Sequence, residues 1–286
     1  MPKVWLENSS GEIIQLTGNE SVYQLFQVDG TNPPMANVNL ALTAGKDGAT
    51  FNSSKLNTRT LVLYVKINGN REQNRLRLNN FARVKEWCKV RYANNSLDVY
   101  IEGIVETVEY TPFTMREMAQ ISIICPDPYF KSMDEILADS SNTLPKFTFP
   151  FTIEEDDPVV ISELMDSEGI IINNTSDATT GALISITFNS GASSVELRNT
   201  TTGADIKLTY TFQTGDIVEI NTNTGSKTIK LIRGGVVSNL MSAFDKGGTF
   251  PQLASGVNRF DYLVDNTAPA GQIDIQFRYH NVYRGL

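Results

Sequence analysis

YIEGIVETVEY (100–110) and MAQISIICPDPYF (118–130) are the stretches that decide the fold. The first runs as a strand through Gly103 into residues where acidic and apolar side chains alternate, and the second is an apolar strand with an abrupt end. Pro126 and Pro128 have no backbone N–H to give to a sheet ladder. The strand therefore stops at Cys125, and Tyr129 and Phe130 are redirected to pack elsewhere.

Working outward, residues 4–6 and 13–16 flank Asn8-Ser9-Ser10-Gly11, a hairpin signal in which the glycine is free to take positive φ. Val38, Leu40 and Leu42 alternate with Asn37, Asn39 and Ala41, and Leu61, Leu63, Val65 and Ile67 alternate with Val62, Tyr64 and Lys66, giving two further strands of period two. Between them and the deciding stretch, Leu78, Phe81, Val84 and Cys88 are spaced 3, 3 and 4 apart. That spacing predicts the buried stripe of an amphipathic helix, with Trp87 at its margin. Asn70 is the expected N-cap with Gln73 three residues on, and Asn94-Asn95 the expected stop. Arg71, Arg75, Arg77, Arg83, Lys85, Lys89 and Arg91 then form the solvated face of this one helix. The first half reads as a mostly antiparallel sheet or sandwich carrying a single helix.

Past about residue 131 the pattern weakens. Asp139-Ser140-Ser141-Asn142-Thr143 and Glu154-Glu155-Asp156-Asp157-Pro158 are polar and punctuated, as connections are, which puts a domain boundary near residue 145, within fifteen residues either way. The carboxylates of the acidic run are adjacent, not spaced around a central glycine as in a Ca²⁺ loop. Beyond it, turn signals recur every 8–12 residues, at Asn189-Ser190-Gly191, Thr201-Thr202-Gly203 and Asn223-Thr224-Gly225, the rhythm of a β-sandwich or jelly roll. Candidate strands begin at Gly169, Leu183, Ser194, Asp205, Asp216, Lys227, Arg259 and Gly271. In the last, Ile273, Ile275, Phe277 and Tyr279 share one face, and Asp274, Gln276, Arg278 and His280 the other. One face is expected buried and the other wet.

At 286 residues and 41% hydrophobic content, each half has enough apolar material for its own core. The net charge of −8 is unevenly spread: residues 1–132 hold 14 Lys+Arg against 13 Asp+Glu, and residues 133–286 hold 10 against 19. The acidic second half argues against nucleic-acid binding, which needs clustered cations. Nor is there a basic start followed by an apolar run, or any stretch near the roughly 20 apolar residues that span a bilayer, so no membrane role is expected and synthesis in a cytoplasm is. The two cysteines, Cys88 and Cys125, sit in apolar surroundings far apart in sequence and read as buried small hydrophobes. The lone histidine, His280, has no cysteine or second histidine to join it in a triad or a zinc site. No phosphate-binding loop, dinucleotide fingerprint or Gly-x-Ser-x-Gly turn is present. These absences lead to the expectation of no catalytic set, no cofactor and no metal.

The order of motifs in the first half resembles the distal tail protein family of siphophages: ANVNLALTAG (36–45), FNSSKLNTRTLVLYVKING (51–69), RLNNFARVKEW (77–87), YIEGIVETVEY (100–110) and MAQISIICPDPYF (118–130). The second half is similar to the family's second domain through FPFTI (149–153), GIIINNTSDATTGALISITF (169–188), TGDIVEINTNTG (214–225) and FPQLASGVNRF (250–260). The likeness covers most of the chain. It implies a mainly β protein: a ring-forming, tail-tube-like domain at 1–145, of β-sandwich or split-barrel type with one helix, and a peripheral galectin-like β-sandwich at 146–286. It further implies a hexameric ring at the virion tail tip, joining the tail tube and tape-measure protein to the tail-associated and receptor-binding proteins. Exposed loops on a rigid sandwich are where partner contacts concentrate. Asn221, Asn223, Gly225, Gly247 and Phe250, with Tyr129 and Phe130 of the first half, are therefore the expected interface residues, and Leu78, Phe81, Val84 and Cys88 the expected core. The alternative is a carbohydrate-binding host-attachment protein, since galectin-like sandwiches bind sugars. Sugar rings usually stack on an exposed aromatic, most often Trp. Both tryptophans, Trp5 and Trp87, lie in the first half, and the second has Tyr210, Phe212, Tyr262, Tyr279 and Tyr283 among its aromatics but no Trp.

Overall fold

The computed structural model describes residues 2–286 apart from 19–20, 43, 46, 112–117, 140–142, 146–161, 165–168 and 266–271. The acidic run 154–158, the stretch 149–153, part of the polar segment 139–143 and much of the expected boundary region lie outside the described residues. The chain begins with β1 (Lys3–Asn8), β2 (Ile13–Gln15), β3 (Tyr23–Asp29), β4 (Ala36–Leu42), β5 (Ala49–Leu56) and β6 (Arg59–Ile67), followed by the helix α1 (Arg71–Phe81). Next come β7 (Trp87–Ala93), β8 (Asp98–Tyr110), β9 (Met118–Cys125), β10 (Phe130–Ser132), β11 (Ile136–Asp139) and a short pair, β12 (Thr143–Pro145) with β13 (Ser162–Leu164). The rest is β14 (Ile170–Asn174), β15 (Leu183–Phe188), β16 (Ala192–Asn199), β17 (Ala204–Phe212), β18 (Ile217–Asn221) and β19 (Thr228–Arg233). It ends with β20 (Val236–Asn239), a 3-10 turn at Met241–Ala243, β21 (Gly256–Val264), β22 (Ile273–Tyr279) and β23 (Val282–Tyr283).

Two compact units emerge: Met1–Met133 together with Val282–Leu286, and Asp134–Asn281. The sequence suggested a single crossing from one domain to the other. The chain instead returns to its first unit for the last five residues.

The first unit is one antiparallel sheet in the order β2-β1-β7-β8-β9-β6-β3, with β10 added to β8 and β23 added to β10. Leu16 bridges its two edges, its N–H donating to Val4 and its carbonyl accepting from Leu25 N–H, so the sheet curls toward closure. Closure removes edges and encloses a core of Leu6, Leu16, Leu61, Leu63, Ile121 and Ile123, all within 1% of full burial. The two deciding stretches lie side by side at its centre as β8 and β9. A β-carbon on Gly103 would fall 2.6 Å from Ile123 Cγ2 and 2.7 Å from the Ile124 carbonyl, so only glycine permits their close approach.

Helix α1 is shorter than the hydrophobic spacing predicts. Asn70 caps it, accepting from Gln73 N–H and donating to the Gln73 side chain, and Leu78 and Phe81 face the core. It ends at Phe81, with Ala82 N–H on the Leu78 carbonyl. Lys85 then takes φ of 73°, and the next backbone groups are claimed by β8: Lys85 N–H donates to Val105, and Val105 N–H to Glu86. The sheet ladder outcompetes the continued helix. Two expectations are corrected: Val84 is 49% exposed rather than core, and Cys88 is buried from strand β7 rather than from the helix. The basic cluster is likewise split among the helix, the connection at 82–86 and strand β7. Its members are largely compensated: Arg75 by Glu72 at 2.6 Å, Lys89 by Glu7 and Glu102, and Arg91 by a two-pronged contact with Asp98 at 2.8 and 2.5 Å.

The second unit is a sandwich. A six-stranded sheet, β11-β22-β15-β18-β19-β20, and a four-stranded one, β14-β21-β16-β17, share a single core. Ile273, Ile275, Phe277 and Tyr279 all point inward, as their alternation predicts. Phe188 stacks on Phe212 at 4.2 Å and Phe260 tilts against Phe277 at 4.7 Å, each pair joining one sheet to the other. Buried Asp216 receives both Arg233 Nε–H and a second guanidinium N–H as well as Gln213 N–H, which holds its carboxyl below the usual range and pins that corner of the sandwich.

Candidate functional site

Strands β4 and β5 pair only with each other and belong to neither the barrel-like sheet nor the sandwich. Their alternation puts Val38, Leu40 and Leu42 on one face, with Phe51 opposite Leu40. Nothing in the described residues covers it. Leu42 is 86% exposed, Phe51 61% and Met35, at the ribbon's base, 79%. A two-stranded ribbon is marginal by itself in water, and contiguous exposed apolar side chains of this kind mark an association surface. Sequence reading correctly found the period of β4 but assigned it to a covered sheet, because alternation reveals a face and not its cover.

The interface residues expected in the second unit are brought together at one end of the sandwich. The Asn223-Thr224-Gly225 turn is held by Asn221, whose side-chain oxygen accepts from Asn223 N–H and Nδ2, and Gly225 takes φ of 84°. Gln252 Nε2 donates to the Thr222 carbonyl and the Thr224 hydroxyl, and Lys227 Nζ lies 5.3 Å over the Phe250 ring. Phe250 is half-buried against Phe244, and Gly247 is exposed in the same connection. The loops at 221–227 and 247–252 thus form one continuous rim.

Of the remaining expected interface pair, Phe130 is corrected. Phe130 is 1% exposed, a core residue of the first unit, and Tyr129 beside it is half-buried. The proline-terminated strand does redirect the chain, but inward onto β8.

Neither thiol is placed for chemistry: burial pushes Cys88 and Cys125 up to about 12, which keeps them protonated. His280 is half-buried, and its carbonyl accepts from the Thr180 hydroxyl. Among the described residues no group of three or more His, Cys, Asp and Glu side chains is arranged to hold a metal ion. Of the aromatics a sugar could stack on, Phe212 and Tyr279 are core, Tyr283 belongs to the first unit, and Tyr210 lies beneath the Arg233 guanidinium at 5.7 Å.

What these features define is a two-unit, mainly β fold whose prominent surfaces are an apolar ribbon and a loop rim. Residues 175–283 match the siphovirus-type tail component, C-terminal domain family. The fold of the whole chain is similar to that of SPP1 Dit (gp 19.1), described as a paradigm of the hub adsorption apparatus in phages infecting Gram-positive bacteria, with a TM-score of 0.66 and 16% identity over 96% of this chain and 98% of that one. A chain of the phage P2 baseplate in its activated conformation with Ca is similar at a TM-score of 0.51 and 11% identity, over 98% of each chain. No curated relative matches by sequence. The resemblance to distal tail proteins stands, carried by the family match in the second unit and by the fold across both.

Proposed function

We propose that the chain is a structural component of a siphophage tail tip, a hexameric ring hub that joins the tail tube to the tail-associated and receptor-binding proteins. The observation that carries this reading is the similarity of fold to a hub protein over nearly the full length of both chains. The β4–β5 ribbon supports it: each copy offers an apolar surface, and a heterologous contact repeated around a closed ring covers every copy's ribbon equally. The first unit is assigned the ring, and the acidic second unit a peripheral docking role through the rim at 221–227 and 247–252. Negative-stain imaging of the purified protein, alone and with its tail-tube neighbour, tests this. Six-fold rings with a central hole are the expected image. A protein that stays monomeric in both preparations overturns the ring.

A further inference from the structure

Arg59 is 3% exposed and, among the described residues, no ion pair accompanies it, yet each of its three guanidinium nitrogens donates a hydrogen bond. Nε–H donates to the Pro128 carbonyl at 2.7 Å. One terminal nitrogen donates to the carbonyls of Gly30 and Asn32, the latter at 2.7 Å, and the other to the carbonyl of Arg284. Its flat face lies 4.6 Å from the centre of the Phe130 ring. Gly30 is fitted to this arrangement: its φ is 88°, and a β-carbon there would fall 2.1 Å from the Thr60 carbonyl oxygen. One charged side chain thus gathers three segments distant in sequence, around residues 30–32, at 128 and at 284. A cation buried among carbonyls is stable only while all of them are held in place.

The segment at 284 is the one that returns from the second unit. Strand β23 lies on β10, with Val282 opposite Lys131 and Tyr283 opposite Phe130, and β10 lies in turn on β8. Leu286 N–H donates to the Thr31 carbonyl, and Gly285 packs against Pro33 and Thr31. The chain leaves the first unit just after β10 and re-enters it at β23, so the whole of Asp134–Asn281 is an insertion between two hydrogen-bonded strands.

We propose that Val282–Leu286 is a strap and Arg59 its buckle, a conformational device that fastens the returning end of the chain to the first unit. With the strap fastened, β23 completes the ladder on β10 and the carbonyl of Arg284 stays on Arg59. With it released, the segment 282–286 opens while the rest of the first unit keeps its fold. The inference rests on the topology and on Arg59, and does not depend on the tail-tip reading.

Hydrogen–deuterium exchange on the full chain tests it, comparing the native protein with Arg59→Lys and Gly285→Val. Lysine keeps the charge but lacks the planar fork that reaches several carbonyls at once. Valine at 285 displaces the strap from Pro33 and Thr31 without touching Arg59. In the native protein, peptides covering 282–286 are expected to be protected. In both variants they exchange at least about tenfold faster, while β6–β9 and the sandwich strands β15 and β18 keep their protection. Native peptides 282–286 that exchange like an unstructured segment overturn the proposal. So does a strap that Arg59→Lys leaves unchanged, or a first unit that loosens throughout along with the strap in both variants. Should Arg59→Lys not fold, Gly285→Val decides alone: local loosening upholds the strap, and unchanged or general exchange overturns it.

Discussion

Phe81 and Val84, three residues apart on the predicted stripe, have opposite fates: one is 5% exposed and the other 49%. Phe81→Ala is expected to cost about 3–5 kcal/mol in chemical denaturation, the loss typical of a truncated core aromatic, and Val84→Ala to stay within about 0.5 kcal/mol. Equal effects would restore the longer helix. Gly103→Ala must push a methyl against Ile123 and the Ile124 carbonyl, and should lower stability by about 1–3 kcal/mol in the same assay. The thiols carry a pH signature. Burial raises both Cys88 and Cys125 from near 9 to about 12, so the unfolded chain ionises first. Their contribution to stability is whole below pH 9 and lost as pH rises from about 9 toward 12. Native protein at pH 8 should accordingly leave a thiol reagent unconsumed until denaturant is added. Rapid reaction without denaturant contradicts the burial.

At the scale of elements, the ribbon and the helix show why period alone is incomplete evidence. Val38, Leu40 and Leu42 read correctly as one face of a strand, yet that face meets no core; Leu78, Phe81, Val84 and Cys88 read correctly as apolar, yet the last two lie beyond the helix. In both cases the deciding fact is not local: among the described residues no layer covers β4, and the β8 backbone at Val105 captures residues 85 and 86. If the ribbon face is the contact between copies, Leu40→Glu together with Phe51→Glu should abolish ring assembly in light scattering while leaving the thermal midpoint of the isolated chain within a few degrees. Both side chains are more than half exposed, so little native packing is lost. A ring that survives both charges rules the face out.

At the scale of the whole molecule, the insertion topology makes the two units unequal as fragments. Asp134–Asn281 contains both sheets of its sandwich and its whole core, so it should fold when expressed alone and run as a monomer in light scattering. Residues 1–133 lack β23 and the Arg284 carbonyl that Arg59 requires, so this fragment should unfold at lower denaturant than the same unit within the full chain. Equal midpoints for fragment and full chain would show that the returning segment contributes nothing to the first unit. The second unit's acidity predicts, in addition, that association with a basic partner slows as salt rises, because exposed charges are screened beyond about 8–10 Å at physiological ionic strength.

Local chemistry was sufficient for much of this. Prolines 126 and 128 ended a strand, Asn70 capped a helix, glycines marked the turns, and strict alternation in 273–279 oriented the last long strand, because each of these depends on a few neighbouring bonds. The turn at 223–225 was legible for the same reason, as a glycine-containing turn between two strands. Tertiary structure alone decided where the helix yields to the sheet, that Phe130 turns inward, that β4 and β5 stand apart, and that residues 282–286 return to the first unit beneath Arg59. Each of these joins backbone groups far apart in the chain, and no property of Arg59 in sequence distinguishes it from the arginines on the surface. What sets it apart is the set of carbonyls at 30, 32, 128 and 284, which become neighbours only when the fold is complete.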